Sequence, residues 1–204
     1  EWEKRKNSKL QKLIRNAEFR YPNASVEAIE YHPDRKLDKG QMLEFSTCRY
    51  ITDDHHIILK GASGNGKTFI ACALGVAACK NFIKVRYIRL PDLLNELAIA
   101  HGDGTLKKVI NAYQKIDLLI LDELSYLSFN KYESDLLFKV LSDRSERSST
   151  IVTTNLPFSK WTELFENTTM VSALVDRLTY RSHVLDMNGS SYRLMSTREE
   201  AAAK

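Results

Sequence analysis

The sequence has no apolar run long enough to cross a membrane. Its longest, Phe69 to Cys79, falls well short of the roughly 20 residues that a spanning helix needs, and no leader pattern opens the chain. The expectation is a cytoplasmic protein without membrane contact. Cysteine is scarce. Cys48, Cys72 and Cys79 are odd in number and form no C-x-x-C pair, which argues against a disulfide framework and for reduced thiols in a reducing compartment. The five histidines show no metal-like grouping, and His55-His56 reads as a strand-edge pair. Neither a base-reading helix-turn-helix nor a zinc module is visible, and there is no internal repeat. Charge of one sign barely prevails. The net is +4, and residues 1–20 carry all of it, with seven Lys/Arg against three Glu.

What is present is ordinary for a globular chain: 43% hydrophobic and 27% charged residues over 204 positions, enough for one substantial core and short for two. In the basic start, Leu10, Leu13, Ile14 and Ala17 recur at helical spacing, so residues 1–20 read as a basic amphipathic helix. Its charges are either a solvated flank or a contact for nucleic-acid phosphates or an acidic partner. Tyr21 to Gly40 is an irregular lead-in. Beyond it, MLEFSTCRYI reads as a helix and HHIILKG as a buried strand. KTFIACALGVAACKNF reads as a helix with Ile70, Leu74 and Ala77 on one face, and KVRYIRL as an alternating strand. Pro91 suits the start of a helix, and Thr105 suits the cap of LKKVINAYQK. DLLILDEL, TIVTTN and HVLDM read as further strands, separated by helices at YESDLLFKVLSDRSER, SKWTELF and VSALVDRLTYRS. Strands alternating with helices predict an α/β fold with a parallel sheet sandwiched by helices. The expected division is a lead-in at 1–40, one domain at 41–196 and a tail at 197–204, whose EAAAK ending matches a common helical linker.

The chemistry concentrates in three places. Gly61-Ala62-Ser63-Gly64-Asn65-Gly66-Lys67-Thr68, continuing into Phe69, fits the phosphate-loop pattern G-x-x-x-x-G-K-[ST] between a strand and a helix. Glycines let successive N–H groups turn toward phosphate oxygens, and the helix that follows presents its positive end. Lys67 would reach the β and γ phosphates, and the Thr68 hydroxyl would ligate Mg²⁺. The strand LLILDEL delivers Asp122 and Glu123 to the carboxyl edge of the sheet. Asp122 would hold the Mg²⁺ shell, and Glu123 suits a general base acting on water. Read alone, an Asp-Glu after a strand is a helix cap; the upstream loop favours catalysis. Asn155, ending a third strand, would orient that water or is simply a turn residue.

The order GASGNGKT, LLILDEL, TIVTTNLPFSKW, ALVDRL and GSSYRL resembles the IstB-type ATP-binding proteins that assist bacterial insertion-sequence transposases. These are similar to the DnaC/DnaI helicase loaders of the AAA+ superfamily. The resemblance covers roughly Tyr21 to Leu194. It implies an AAA+ P-loop fold, without a separate C-terminal helical lid because the tail is short. It also implies ATP and Mg²⁺ as cofactors, Asn155 as sensor 1, Arg177 as an arginine finger reaching a neighbouring subunit, and Arg193 as sensor 2. A guanidinium fork suits phosphoryl oxygens, although either arginine read alone is as well a surface ion pair. Self-association into a spiral or ring around duplex DNA follows, with a transposase of the same insertion sequence as partner. Lys107, Lys108 and Lys115, in the helical insertion before the acidic strand, are candidate DNA contacts or a solvated face. The family's further N-terminal region is represented by little more than the lead-in.

The leading expectation is therefore an ATP-hydrolysing switch that assembles on DNA and assists transposition. A replicative helicase loader shares the same engine. A nucleoside or small-molecule kinase would need an acceptor pocket and no water-activating glutamate, and Glu123 argues against it. A nucleotide-binding module without turnover would not need the full catalytic set.

Overall fold

The computed structural model describes residues 2–31, 36–124, 129–144, 147–161, 163 and 168–187. Among them the apolar runs form five strands: β1 His56–Lys60, β2 Val85–Arg89, β3 Leu118–Leu124, β4 Ser149–Thr154 and β5 Ser182–Asp186. All pairings are parallel, in the order β2-β3-β4-β1-β5. β4 is buried along its whole length, as expected of a parallel sheet covered on both faces. Helices α1 Trp2–Ala17, α2 Lys39–Ser46, α3 Arg49–Thr52 and α4 Lys67–Lys80 pack on one face; α5 Leu90–Gly102, α6 Leu106–Gln114, α7 Lys131–Arg144, α8 Phe158–Trp161 and α9 Thr168–Thr179 pack on the other. β3 shows why two cores form. Leu118 and Ile120 face the first set, Leu119 and Leu121 the second, because successive strand residues alternate sides.

Three local expectations change. MLEFSTCRYI is two helices rather than one, since Cys48 takes a left-handed backbone (φ 63) between α2 and α3. α4 is buried nearly all round and not on one face, because Phe19, Ala24 and Val26 of the lead-in cover its outer side. Gly75 makes that fit possible: a Cβ there would meet Phe19 at 2.5 Å and Ile120 at 2.7 Å. Thr105 precedes α6 without capping it; its hydroxyl donates instead to Asp103 Oδ1 at 2.6 Å. The three thiols are free and buried. Burial pushes Cys72 up to about 11 and Cys79 to about 12, so thiolate chemistry is suppressed at both.

Arg144, only 1% exposed, ends α7 inside the protein. It donates to the carbonyls of Tyr113 (2.5 Å), Ile116 (2.8 Å) and Ser149 (2.9 Å), tying α6 and β4 together. Desolvation lowers its pKa to about 10. Arg144→Met roughly keeps the packing volume and removes three donated hydrogen bonds from the interior. The expected loss is about 3 kcal/mol, read as a lower urea midpoint with an unchanged slope.

Candidate nucleotide site

β1 lies between β4 and β5, where the strand order reverses direction, and ligands bind open α/β sheets at that switch point. The loop from Gly61 leaves β1 there. Gly64 (φ 86) and Gly66 (φ 78) take left-handed backbone, which glycine adopts without strain. Gly61 is needed for a different reason. A Cβ there would lie 2.5 Å from the carbonyl oxygen of Met187, so its bare backbone lets the loop close on the end of β5. Asn65, fully buried, donates from Nδ2 to that same carbonyl at 2.5 Å. Lys67 Nζ donates to the carbonyls of Gly61 (2.8 Å) and Ala62 (2.7 Å). The ammonium is thus held over its own loop, at the open N-terminal end of α4, whose first N–H groups have no intrahelical partner.

Facing the loop, Asp122 is fully buried and accepts three hydroxyls. Thr68 Oγ1 donates to it at 3.0–3.1 Å, Tyr87 OH at 2.7 Å, and Thr153 Oγ1 completes the set. Burial, and after it the bond to Asp122, push the Tyr87 hydroxyl's pKa far up, so Tyr87 stays a donor. A regular strand would send Glu123 to the opposite side of the sheet from Asp122. It does not, because the β3–β4 register shifts between Leu121 and Leu124 and Glu123 has φ 64. Left-handed backbone at such a residue costs about 1–2 kcal/mol; Thr153 Oγ1 helps hold it by accepting the Glu123 N–H at 3.1 Å. Both carboxylates consequently line one cleft. Arg89 grips Glu123 Oε2, with Nε at 2.7 Å, and Arg20 reaches Oε1 at 3.4 Å.

That cleft encloses about 560 Å³. Loop residues Ser63 to Phe69 line it together with Asp122, Glu123, Thr153 and Asn155. The amide oxygen of Asn155 is buried and has no partner among the described residues. The lead-in adds Tyr21, Ala28 and Ile29 to the wall, with the Tyr21 ring 6.0 Å from that of Phe69.

The structure therefore brings the loop, Asp122, Glu123 and Asn155 together. Arg177 does not line the cleft. It is an exposed residue of α9, held against α7 by a 2.5 Å bond to Ser142 Oγ and by the Phe138 ring, 5.0 Å from its Cζ. Lys107, Lys108 and Lys115 are exposed on and just after α6. Arg193 lies outside the described residues. Sequence reasoning missed Tyr87, Arg89, Thr153, Arg20 and the lead-in wall. One signal was available: Tyr87 and Arg89 stand two apart on β2, hence on one face, and Arg89 pairs in register with Asp122.

Among the described residues no helix is long and apolar enough to cross a membrane. Comparison with known proteins places this geometry. The Sinorhizobium fredii protein y4pL, named as an insertion-sequence ATP-binding protein, is 35% identical over 199 residues, covering 98% of this chain and 81% of its own. The IS232 ATP-binding protein of Bacillus thuringiensis is 30% identical over 190 residues, covering 93% and 76%. The crystal structure of DnaI superposes with a TM-score of 0.68 at 18% identity, covering 89% of this chain and 92% of that one, so the fold is that of AAA+ P-loop proteins. The family described as IstB-like ATP binding protein matches residues 1–201, and the chain belongs to that family.

Proposed function

We propose that the chain is an Mg²⁺-dependent ATPase that assembles on duplex DNA in its ATP-bound form and assists a transposase of the same insertion sequence. The observation that carries this reading is one cleft holding a phosphate loop opposite a hydroxyl-braced Asp122, with Glu123 beside it. The residues fit the ligands. Oxygen donors at Thr68 and Asp122 suit a hard divalent cation, and the unpartnered Asn155 oxygen suits a bound water. Residues Gly61 to Phe69 bind the triphosphate, with Lys67 exchanging its loop carbonyls for phosphate oxygens. Tyr21 and Ile29 enclose the base. Mg²⁺, when bound, neutralises charge on the phosphates. Tyr87 and Thr153 keep Asp122 oriented, Asn155 places the water, and Glu123 takes its proton. Arg177, outside its own cleft, serves a neighbouring subunit, and Arg193 contributes as sensor 2. The named relatives are insertion-sequence proteins at 30–35% identity, whereas DnaI is alike in fold alone at 18%; this favours the transposition helper over a helicase loader.

The test is ATP turnover with and without duplex DNA, alongside mass by light scattering in ATP and in ADP. DNA-stimulated turnover with ATP-dependent assembly supports the proposal. A monomer whose turnover ignores DNA overturns it. The grip of Arg89 on Glu123 adds a finer expectation. Glu123 must turn from Arg89 to meet a water, and a half-exposed ion pair is worth up to about 1 kcal/mol. Arg89→Ala should thus raise basal phosphate release about fivefold and narrow the gap between DNA-free and DNA-bound rates. A fall in basal rate would mean that Arg89 aids the base.

A further inference from the structure

α1 docks through Leu10, Leu13 and Ile14, with Ala17 fully buried, against α4 and β2. At 100° per residue that stripe fixes which side chains point away. The outward arc, roughly 160° wide, carries Lys4, Arg5, Lys9, Lys12 and Arg15, all exposed. Between them stand Ser8, Gln11 and Asn16, uncharged donors. Among the described residues of α1, Trp2–Ala17, no carboxylate falls on the arc. Glu3 lies on the line of the apolar stripe, and Glu18, just past the helix, is paired with Arg86 at 2.6 Å. Lys9 Nζ sits 5.0 Å from the Phe82 ring, and exposed Lys80 and Lys84 flank that ring in sequence.

We propose that the outward face of α1 is the surface that carries the duplex, gripping its phosphates without reading bases. This rests on the DNA-associated reading above and specifies where the DNA lies. Lys4 to Arg15 spans about 17 Å of helix, the length of about five phosphates along one strand. The side chains project from a helix pinned by its own apolar stripe, so its backbone needs little ordering on contact. The competing lysines are diluted by acid. Asp103 stands one turn before Lys107, Asp117 two residues after Lys115, and Asp143 bonds the adjacent Gln114 at 2.7 Å.

The experiment is anisotropy of a labelled random 30-base-pair duplex over a salt series, with a non-hydrolysable ATP analogue. It compares wild type with a variant carrying Lys4→Gln, Arg5→Gln, Lys12→Gln and Arg15→Gln, and with one carrying Lys107→Gln, Lys108→Gln and Lys115→Gln. Each lost phosphate contact removes about 0.9 from the slope of log K against log salt. The α1 variant should lose about 3.6 of slope and bind on the order of a thousandfold more weakly at 0.1 M salt, with DNA-free ATP turnover unchanged. The α6 variant should match wild type. If wild type binds and the α1 variant keeps its slope, this surface is wrong while the DNA-associated function stands. If the α1 variant binds DNA normally and loses only stimulation by the transposase, the face meets an acidic protein and the proposal falls. If wild type hydrolyses ATP yet binds no duplex, both readings fall. Halved variants, Lys4/Arg5 or Lys12/Arg15 alone, should each lose about 1.8 of slope, which guards against a folding defect.

Discussion

Glu123→Gln should keep ATP bound and stop its hydrolysis. The amide has the shape of the carboxylate, and the loop from Gly61 to Thr68 takes no part in the change, so affinity for a fluorescent ATP analogue should stay within a few-fold of wild type. What is lost is the ability to accept a proton from water. General-base catalysis is worth about 10²–10⁴ in rate, so phosphate release should fall by at least about a hundredfold. The substitution also weakens the ion pairs that Arg89 and Arg20 make with the carboxylate. Those arginines are partly exposed, so the fold should tolerate the change. Turnover at the wild-type rate would remove Glu123 from the base role, and loss of binding would show that it supports the nucleotide directly.

Arg177→Ala should be as severe, for a reason that lies outside its own subunit. An arginine finger contributes about 10³–10⁵ to turnover. Arg177 is exposed and absent from its own cleft, so its target would be a neighbour's phosphates. Phe138 and Ser142 hold the guanidinium in place, which makes the arm ready to dock and costs little rotamer entropy on contact. The decisive form of the experiment mixes two dead proteins. Arg177→Ala subunits keep an intact cleft, and Glu123→Gln subunits keep an intact arm. Each alone should be inactive, and the mixture should recover turnover. A mixture as inactive as its parts would show that the finger does not act between subunits.

How far the sequence could be read follows from distance along the chain. The loop from Gly61 to Thr68 is contiguous, so its spacing alone singled it out as a phosphate-binding candidate. Asp122 and Glu123 stood out as acids ending an apolar strand, and Asn155 as the amide ending the next. The residues that brace them were hidden because they become neighbours only through strand register. Arg89 meets Asp122 across the β2–β3 ladder, and Thr153 reaches Asp122 and the Glu123 amide from β4. Nor does a glycine mark the turn at Glu123, whose left-handed backbone is imposed by tertiary contacts. The same holds at Cys48, where a left-handed residue broke the expected single helix in two. The one-faced reading of α4 failed because periodicity describes a helix against one partner, whereas here the lead-in supplies a second.

The place of β1 in the sheet bears on the order in which the molecule is made. β1 and its loop are synthesised early, yet β1 pairs with β4 from Ile151 and with β5 from Ser182. Gly61 and Asn65 close on Met187. A growing chain therefore carries every glycine of the loop long before it has the wall against which the loop is shaped. Pairings this remote in sequence form late, and a ligand that binds only the finished form adds its binding energy to the closing step. A chain cut before β5 should carry the complete phosphate-loop sequence and bind no nucleotide, so that ATP itself reports whether synthesis and folding have reached the last strand.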